Sequence, residues 1–342
     1  MHSSVHLIHK AERLETLTRE EAEALMQELL SGRIATFEIV RLLLALNRRQ
    51  INAVELGAFA RVMRLHAAPV FATETERPAH MLDTCGTGGD GCGTFNISTA
   101  AAFVAAAAGA HVAKHGNRSV SSRSGSADVL EALGIRIDLP LQLAGRAIRE
   151  IGIGFLFAPT AHSATRHAVP ARKQIGARTI FNLLGPLTNP AGAHSQILGV
   201  FSGDLIDLVG ATLVELGIER AFVVHGCGGL DEISLAGETQ VAEVRDGTVR
   251  RFNLTPEDFG MPSAPIEVLQ GGSPQENAQM IRDLFEGATG PRRDIVLINS
   301  AAALVVTGIA NDFREGVAIA DHALSSGAAL QKLEQLRSFT NS

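Results

Sequence analysis

From about residue 80 onward, short apolar runs end in Gly-rich turns and are followed by helical patterns, and this alternation limits the possible folds more than any other feature of the sequence. Each unit is typical of a strand, a turn and a helix, the arrangement that builds a mostly parallel sheet with helices on both faces. We therefore predict an α/β fold. The predicted strands are residues 80–83, 111–113, 154–157, 196–201, 220–224 and 294–298.

One segment departs from this alternation, because residues 239–253 contain two short runs joined by Asp246-Gly247. Glycine supplies the positive φ that a tight hairpin turn needs. The segment therefore predicts a β-hairpin that adds antiparallel strands to the sheet.

The first seventy residues carry helical patterns only. Thr18 and Glu21 have the spacing of a capping box, in which each side chain bonds the other residue's backbone N–H. A second helix start is marked by Thr36, and residues 56–66 form a third amphipathic stretch. We therefore predict a smaller, all-helical N-terminal domain.

Composition and charge limit the classes of function that this sequence can have. The 342 residues carry a net charge of −6 and include no Trp or Tyr, so neither a general basic field nor a large stacking platform favours nucleic acid or a membrane as partner. The three cysteines form no C-x-x-C pair, which argues against a disulfide framework and a thiolate zinc site. The N-terminus lacks the apolar core of a signal peptide. We expect a cytoplasmic enzyme of small molecules, with no nucleic-acid or membrane partner.

The densest signal for a ligand is the segment from Asp83 to Thr99, where five glycines lie between a predicted strand and a helix. Glycines let the backbone approach a ligand closely, and the unpaired N–H groups of a helix N-terminus favour an anion such as phosphate or pyrophosphate. The spacing matches neither the P-loop nor the dinucleotide-binding motif. The polar side chains near Ser98 favour a binding site over a purely structural turn.

A second polar run, from Lys114 to Ser122 and on to Asp128, follows the next predicted strand. Its cations and hydroxyls suit a sugar phosphate, and it lies where open α/β sheets bind ligands, at the carboxyl end of a strand. The alternative is a solvated loop.

Two further candidates carry charge. Asp231 and Glu232 follow another strand, and such an acidic pair suits Mg²⁺ that also binds substrate phosphates, although alone it could be a charge pair at a helix start. Arg172 could bind a carboxylate through two hydrogen bonds, or form a surface ion pair. His115, His162 and His225 could act as ligands or acid–base groups, but a single His is more often structural.

Together these motifs resemble the anthranilate phosphoribosyltransferase family of tryptophan biosynthesis. GTGGDG-x-x-TFN-x-ST, KHGNRSVSS-x-SGSADVLEALG and GLDEIS occur in the family's order, and the resemblance runs from about Thr18 to Phe339. It implies transfer of the phosphoribosyl group of 5-phosphoribosyl 1-pyrophosphate to the amine of anthranilate, with Mg²⁺ as cofactor. It also implies two domains: a helical domain of residues 1–72 with a helical excursion at about 168–190, and an α/β domain of residues 73–342. The helical domain would form the interface of a homodimer.

The resemblance assigns roles residue by residue. Arg172, Asn117 and Gly86 would hold anthranilate, and Ser98, Asp231 and Glu232 would hold Mg²⁺. The residues expected to bind phosphoribosyl pyrophosphate are Gly86, Gly89, Asp90, Thr94, Asn96, Ile97, Ser98, Thr99, Lys114, His115, Gly116, Asn117, Arg118, Ser119, Val120, Ser121, Ser122 and Ser126. No nucleophile–base pair is expected.

The sequence departs from the family at one run before the anthranilate arginine. The family usually has an aromatic residue, His and Pro there, whereas this sequence has Ala161, His162 and Ser163. A lost ring and a lost proline predict a wider acceptor channel that tolerates ring-substituted anthranilates. Three alternatives stay open: a pyrimidine nucleoside phosphorylase-like enzyme, a phosphoribosyltransferase for another aromatic amine, and a non-catalytic nucleic-acid-binding relative.

Overall fold

The computed structural model describes residues 4–119 and 123–342. The chain begins with helices α1 (Ser4–Glu12), α2 (Arg19–Leu30), α3 (Thr36–Arg49) and α4 (Ala53–Leu65). The predicted capping box is confirmed: Thr18 Oγ1 accepts from the Glu21 N–H at 3.3 Å, and the Thr18 N–H donates to Glu21 Oε2 at 2.8 Å. These helices bury one apolar stripe each.

The described residues form one seven-stranded sheet in the order β3-β2-β1-β4-β5-β6-β7. Strands β1 to β5 are parallel, and β6 and β7 pair antiparallel at one edge. The mixed α/β fold is therefore confirmed. The strands are β1 (Met81–Gly86), β2 (His111–Gly116), β3 (Ile153–Phe157), β4 (Ser195–Gly199), β5 (Arg220–Gly226), β6 (Thr239–Arg245) and β7 (Thr248–Leu254).

The predicted hairpin is also confirmed. Asp246 and Gly247 join β6 to β7 with φ of 51° and 73°, the left-handed values that a two-residue turn of this kind requires.

Helices cover both faces of the sheet. The remaining helices are α5 (Ile97–Ala107), α6 (Ser126–Ala132), α7 (Leu141–Ile151), α8 (Ala158–Ala161), α9 (Val169–Ile175), α10 (Ile180–Leu187), α11 (Ile206–Glu215), α12 (Pro274–Phe285), α13 (Pro291–Thr307), α14 (Phe313–Ser325) and α15 (Ala328–Asn341). Neighbouring strand residues alternate between two cores: Ile197 packs in the core that contains α5 and α13, and Leu198 packs in the core that contains the N-terminal helices, α10 and α11.

One predicted strand is wrong, because residues 294–298 lie inside helix α13. Pro291 occupies the first turn of that helix, and Asp294 adds the negative charge that a helix start favours. The following residues are buried on nearly every side, so a short window has no helical periodicity and looks like a buried strand.

The N-terminal helices contact the later helical segment that contains α9 and α10. Arg64 Nε donates to the Leu187 carbonyl at 2.8 Å, and Asn47 Nδ2 donates to the Arg178 carbonyl at 2.8 Å. These contacts support the proposed division into residues 1–72 with 168–190 and residues 73–342, which stays a prediction. Within the described ranges, none of the helices has both the length and the apolar character needed to cross a membrane.

Candidate active site

The order of the strands places a crevice at the carboxyl ends of β1 and β4. From β1 the chain proceeds to β2 and β3 on one side, and it returns to β4 and β5 on the other. Open α/β sheets bind ligands at such a switch point. The Gly-rich segment follows β1, the second polar run follows β2, and Asp231 and Glu232 come after β5, so the predicted site residues share this edge.

The Gly-rich loop after β1 needs glycine for two reasons. Gly88, Gly89, Gly91 and Gly93 have φ between 65° and 78°, where other residues are strained. Gly86 has no room for a side chain, because a Cβ there would lie 2.4 Å from Asp231 Oδ2. The loop backbone therefore lies directly against the acidic pair.

Both carboxylates accept hydrogen bonds from this backbone. Gly88 N–H donates to Asp231 Oδ2 at 2.8 Å, and Ser98 N–H, at the start of α5, donates to Glu232 Oε1 at 3.1 Å. Burial raises the pKa of both groups above the ordinary value; the charge of Asp90 adds to the rise for Asp231, and the charge of Asp231 adds to it for Glu232. Two crowded, buried carboxylates form a site that a bound cation would stabilise.

This donor set fits Mg²⁺. Nowhere in residues 4–119 and 123–342 do three or more His, Cys, Asp or Glu side chains gather as a possible metal site. Mg²⁺ does not require such a cage, since it is commonly bound by one or two carboxylates, waters and substrate phosphate oxygens. Asp231, Glu232 and the Ser98 hydroxyl match that pattern.

Lys114 lies beneath the loop as a buried cation. Its Nζ donates to the Thr84 carbonyl at 2.6 Å and lies 3.5 Å from Ser98 Oγ. Burial lowers its pKa, while the charges of Asp83 and Glu232 oppose that change. Burial also raises the pKa of Asp83 to about 6. Lys114 therefore supplies positive charge behind Ser98 and the acidic pair.

The loop after β2 is close to the crevice, but one predicted side chain points elsewhere. Arg118 donates to Asp128 and Glu131, at 3.1 Å and 2.8 Å, so its guanidinium is engaged by α6. Ser126 Oγ donates to the Asn117 carbonyl at 3.4 Å, and the Ser119 N–H donates to Asp128 at 3.0 Å. Val120, Ser121 and Ser122 lie outside the described residues.

Asn96 is fixed by a hydrogen-bond chain. Its Oδ1 accepts from Asn277 Nδ2 at 2.9 Å, and its Nδ2 donates to the Ser124 carbonyl at 3.2 Å. Neighbouring Ile97 and Thr99 are buried in α5, whereas Thr94 forms an isolated bridge with Gln270.

Arg172, the predicted anthranilate ligand, extends from α9, and its guanidinium carbon lies 5.4 Å from the Phe181 ring centroid. Burial lowers its pKa. Among the described residues, no carboxylate forms an ion pair with Arg172, so the surface-pair alternative has no support and the guanidinium can bind a carboxylate ligand.

Two of the three candidate histidines, His115 and His162, are buried and neutral. The rings of His115 and His162 lie 5.2 Å apart, and burial lowers their pKa values to about 3 and about 4. His162 Nε2 pairs with the Thr188 carbonyl at 2.9 Å, and His225 Nδ1 pairs with the Val200 carbonyl at 2.8 Å. These contacts agree with structural roles.

The wider acceptor channel stays a prediction, but the surroundings of Ala161 do not support it. Ala161 is 1% exposed and packs in a core cluster with Met81 and Leu156. Ser163, by contrast, is exposed.

Sequence reasoning missed several residues at the site. Arg178 donates to the Gly89 carbonyl, Asn277 orients Asn96, and Asn299 pairs with both the N–H and the carbonyl of Ile233, each at 3.0 Å. Gly199 lets the Asp231 backbone approach β4, since a Cβ there would lie 1.6 Å from the Asp231 carbonyl oxygen. Nothing in the local sequence around Arg178, Asn277 or Asn299 indicated these partners.

The fold and this crevice agree with a glycosyl transferase that has a helical bundle domain, and family models identify that class. A model of the glycosyl transferase family helical bundle domain matches residues 5–67, and one of the family's a/b domain matches residues 78–330. An anthranilate phosphoribosyltransferase of Pelotomaculum thermopropionicum is 51% identical over 95% of this chain and 93% of its own length. This chain belongs to the anthranilate phosphoribosyltransferase family.

Solved structures agree. The anthranilate phosphoribosyltransferase of Thermus thermophilus has a TM-score of 0.93 at 45% identity, covering 98% of this chain and 99% of that one. The Saccharomyces cerevisiae enzyme, solved in complex with phosphoribosyl pyrophosphate and Mg, has a TM-score of 0.89 at 27% identity and covers 99% of both chains.

Proposed function

We propose that this protein transfers the phosphoribosyl group of 5-phosphoribosyl 1-pyrophosphate to the amine of anthranilate, giving N-(5-phosphoribosyl)anthranilate and pyrophosphate. The observation that carries the proposal is the acidic pair Asp231 and Glu232, held against the N–H groups of Gly88 and Ser98 at the switch point of the sheet. The names of the relatives support the substrates.

The pyrophosphate would bind along the Gly-rich loop and the start of α5, where backbone N–H groups face an anion. Asp231, Glu232 and the Ser98 hydroxyl would hold Mg²⁺, which when bound would neutralise charge on the departing pyrophosphate. Lys114 adds fixed positive charge behind Ser98. The other residues assigned after β2, including Asn117, Ser119 and Ser126, would bind the sugar phosphate.

The acceptor amine needs less catalytic assistance than the leaving group. The amine of anthranilate is unprotonated at neutral pH, so its lone pair can form a bond to C1 of the ribose while the bond from C1 to the pyrophosphate oxygen breaks. The proton then leaves the nitrogen for solvent. Arg172 would orient the carboxylate, so catalysis would depend on positioning and charge rather than on a general base.

A fluorescence assay tests the proposal. Anthranilate fluorescence should decrease only when phosphoribosyl pyrophosphate and Mg²⁺ are both present, and pyrophosphate should accumulate in equal amount. A parallel reaction with thymidine or uridine and inorganic phosphate should give no free base. Phosphorolysis without anthranilate consumption would contradict the proposal and identify a nucleoside phosphorylase, whereas turnover of another aromatic amine alone would reassign the acceptor.

We also propose that the protein is a homodimer in the cytoplasm and that its helical part forms the interface. Phe37 and Leu44 of α3 are 62% and 41% exposed, and Val5 of the adjacent α1 is 39% exposed. Exposed apolar side chains on two neighbouring helices favour a protein contact. Light scattering after size exclusion should show a dimer that Phe37→Glu weakens, whereas Val249→Glu, on the distant strand β7, should not. A monomeric wild type would contradict this proposal.

A further inference from the structure

Arg178 connects the helical part of the molecule to the Gly-rich loop. It lies between α9 and α10, and its guanidinium donates to the Gly89 carbonyl of the loop. The backbone carbonyl of the same residue accepts from Asn47 Nδ2 of α3 at 2.8 Å. One residue thus contacts both the N-terminal helices and the loop predicted to bind pyrophosphate.

The guanidinium is held in place by an aromatic ring. Its carbon lies 4.1 Å from the Phe201 ring centroid, a distance suited to a cation–π contact. Phe201 is itself tied to the loop, because its N–H donates to Thr87 Oγ1 at 3.0 Å. The Arg178 guanidinium therefore contacts both the ring of Phe201 and the carbonyl of Gly89.

Other hydrogen bonds of the loop involve Gly199 of β4, Asp231 and Gln270. Thr87 N–H donates to the Gly199 carbonyl at 2.9 Å, Gly88 N–H donates to Asp231, and Gln270 Nε2 donates to the Cys92 carbonyl at 2.7 Å. Among the contacts of the described residues, Arg178 forms the one side-chain hydrogen bond that joins the α9–α10 segment to the Gly-rich loop. The loop glycines have no side chains of their own to fix its position.

We propose that Arg178 is a positioning residue, which fixes the Gly-rich loop relative to the helices and so sets how well the loop binds pyrophosphate. This inference rests on the proposed function. When the helical part moves toward the α/β part, the Asn47–Arg178–Gly89 connection would move the loop with it. Substrate closure of this kind is a common way to complete a catalytic site.

The main test is Arg178→Gln, which removes the charge and the stacking. Arg178 is exposed, so the variant should fold. We expect the KM for phosphoribosyl pyrophosphate to rise about tenfold, the loss of one charge-assisted hydrogen bond, while the KM for anthranilate changes little. Amide hydrogen exchange in residues 86–93 should become faster. Arg166→Gln is the matched control, because Arg166 is exposed and donates to a carbonyl of its own segment, that of Ser163.

Three variants separate positioning from direct binding of substrate. Phe201→Leu should reproduce part of the effect, because the ring orients the guanidinium. Arg178→Lys should recover little, since an ammonium cannot reproduce the fork and the stacking. Asn47→Ala should act in the same direction, and adding it to Arg178→Gln should have less than an additive effect. Full recovery with Lys together with no effect of Phe201→Leu would overturn the proposal and identify Arg178 as a substrate ligand.

The two proposals can fail separately. A wild type without phosphoribosyl transfer refutes the proposed function, and the exchange of residues 86–93 still tests the link to Arg178. An active wild type whose Arg178→Gln variant keeps the same KM and the same loop exchange refutes only the role of Arg178.

Discussion

The two sides of the crevice differ in how much charge they carry. The side proposed to bind the phosphates contains two buried carboxylates with raised pKa values, a buried lysine and several backbone N–H donors. The side proposed to bind the acceptor, called the acceptor side below, contains Arg172 beside Phe181 and the neutral His115 and His162. Under the proposed function, the leaving group needs electrostatic stabilisation, whereas the acceptor needs orientation only.

The strongest test of this comparison is to neutralise the acidic pair. Asp231→Asn with Glu232→Gln should lower kcat by at least about a hundredfold, a typical loss when a group that stabilises transition-state charge is removed. The unfolding midpoint should not fall, because the change relieves repulsion between two buried carboxylates. Steady-state kinetics with a Mg²⁺ titration, and a thermal melt, measure both effects.

The exposed acids Glu74 and Asp246 provide the control, since Glu74→Gln with Asp246→Asn should leave kcat unchanged. If the Asp231 and Glu232 variant kept near wild-type turnover at limiting Mg²⁺, the charged side of the comparison would be structural only.

Removing the charge of Arg172 should have a smaller and more selective effect. Arg172→Ala should weaken anthranilate about tenfold to a hundredfold, corresponding to a charge-assisted bidentate contact of about 1.5 to 3 kcal/mol, and leave phosphoribosyl pyrophosphate binding nearly unchanged. Calorimetry with each substrate checks this. Equal losses for both substrates would mean that the whole crevice had collapsed, and Lys173→Ala on the exposed side of α9 should change neither.

A third test concerns the packing under the acceptor side. Ala161→Phe should lower the free energy of unfolding by about 1 to 3 kcal/mol, because a ring cannot fit into a filled core cluster without strain. Ser163→Phe, at an exposed neighbour, should be nearly neutral. Denaturant unfolding distinguishes the two. If Ala161→Phe were stable and narrowed the tolerance for substituted anthranilates, the position would line the acceptor path after all.

Local signals made much of the fold predictable. The capping box of Thr18 and the turn at Asp246-Gly247 act over a few residues, and each forms the structure that its pattern predicts. The strand prediction for residues 294–298 failed because a helix buried all round has no visible period. At the site, runs of glycine and acidic residues indicated a ligand, whereas Arg178 did not, since its partner is a backbone carbonyl 89 positions away.

The last test asks whether burial keeps His162 uncharged in the folded protein. The pKa of His162 is lowered to about 4 in the folded protein from an ordinary value of 6.5. Between these pH values the unfolded chain binds a proton that the folded protein does not, so acidification destabilises the fold by up to about 1.4 kcal/mol per pH unit for this group. His162→Gln keeps a donor for the Thr188 carbonyl but does not titrate, so the stability of the variant should fall less steeply from pH 6.5 to 4.

Asp83, whose pKa is raised to about 6, acts in the opposite sense, because the stability that comes from its retained proton is lost as pH rises through 6. The difference between wild type and variant cancels that contribution, and chemical unfolding at several pH values measures it, with the exposed His322→Gln as control. Parallel pH profiles for wild type and His162→Gln would show that folding does not lower the pKa of His162, and the ring would then gain a charge below about pH 6.5.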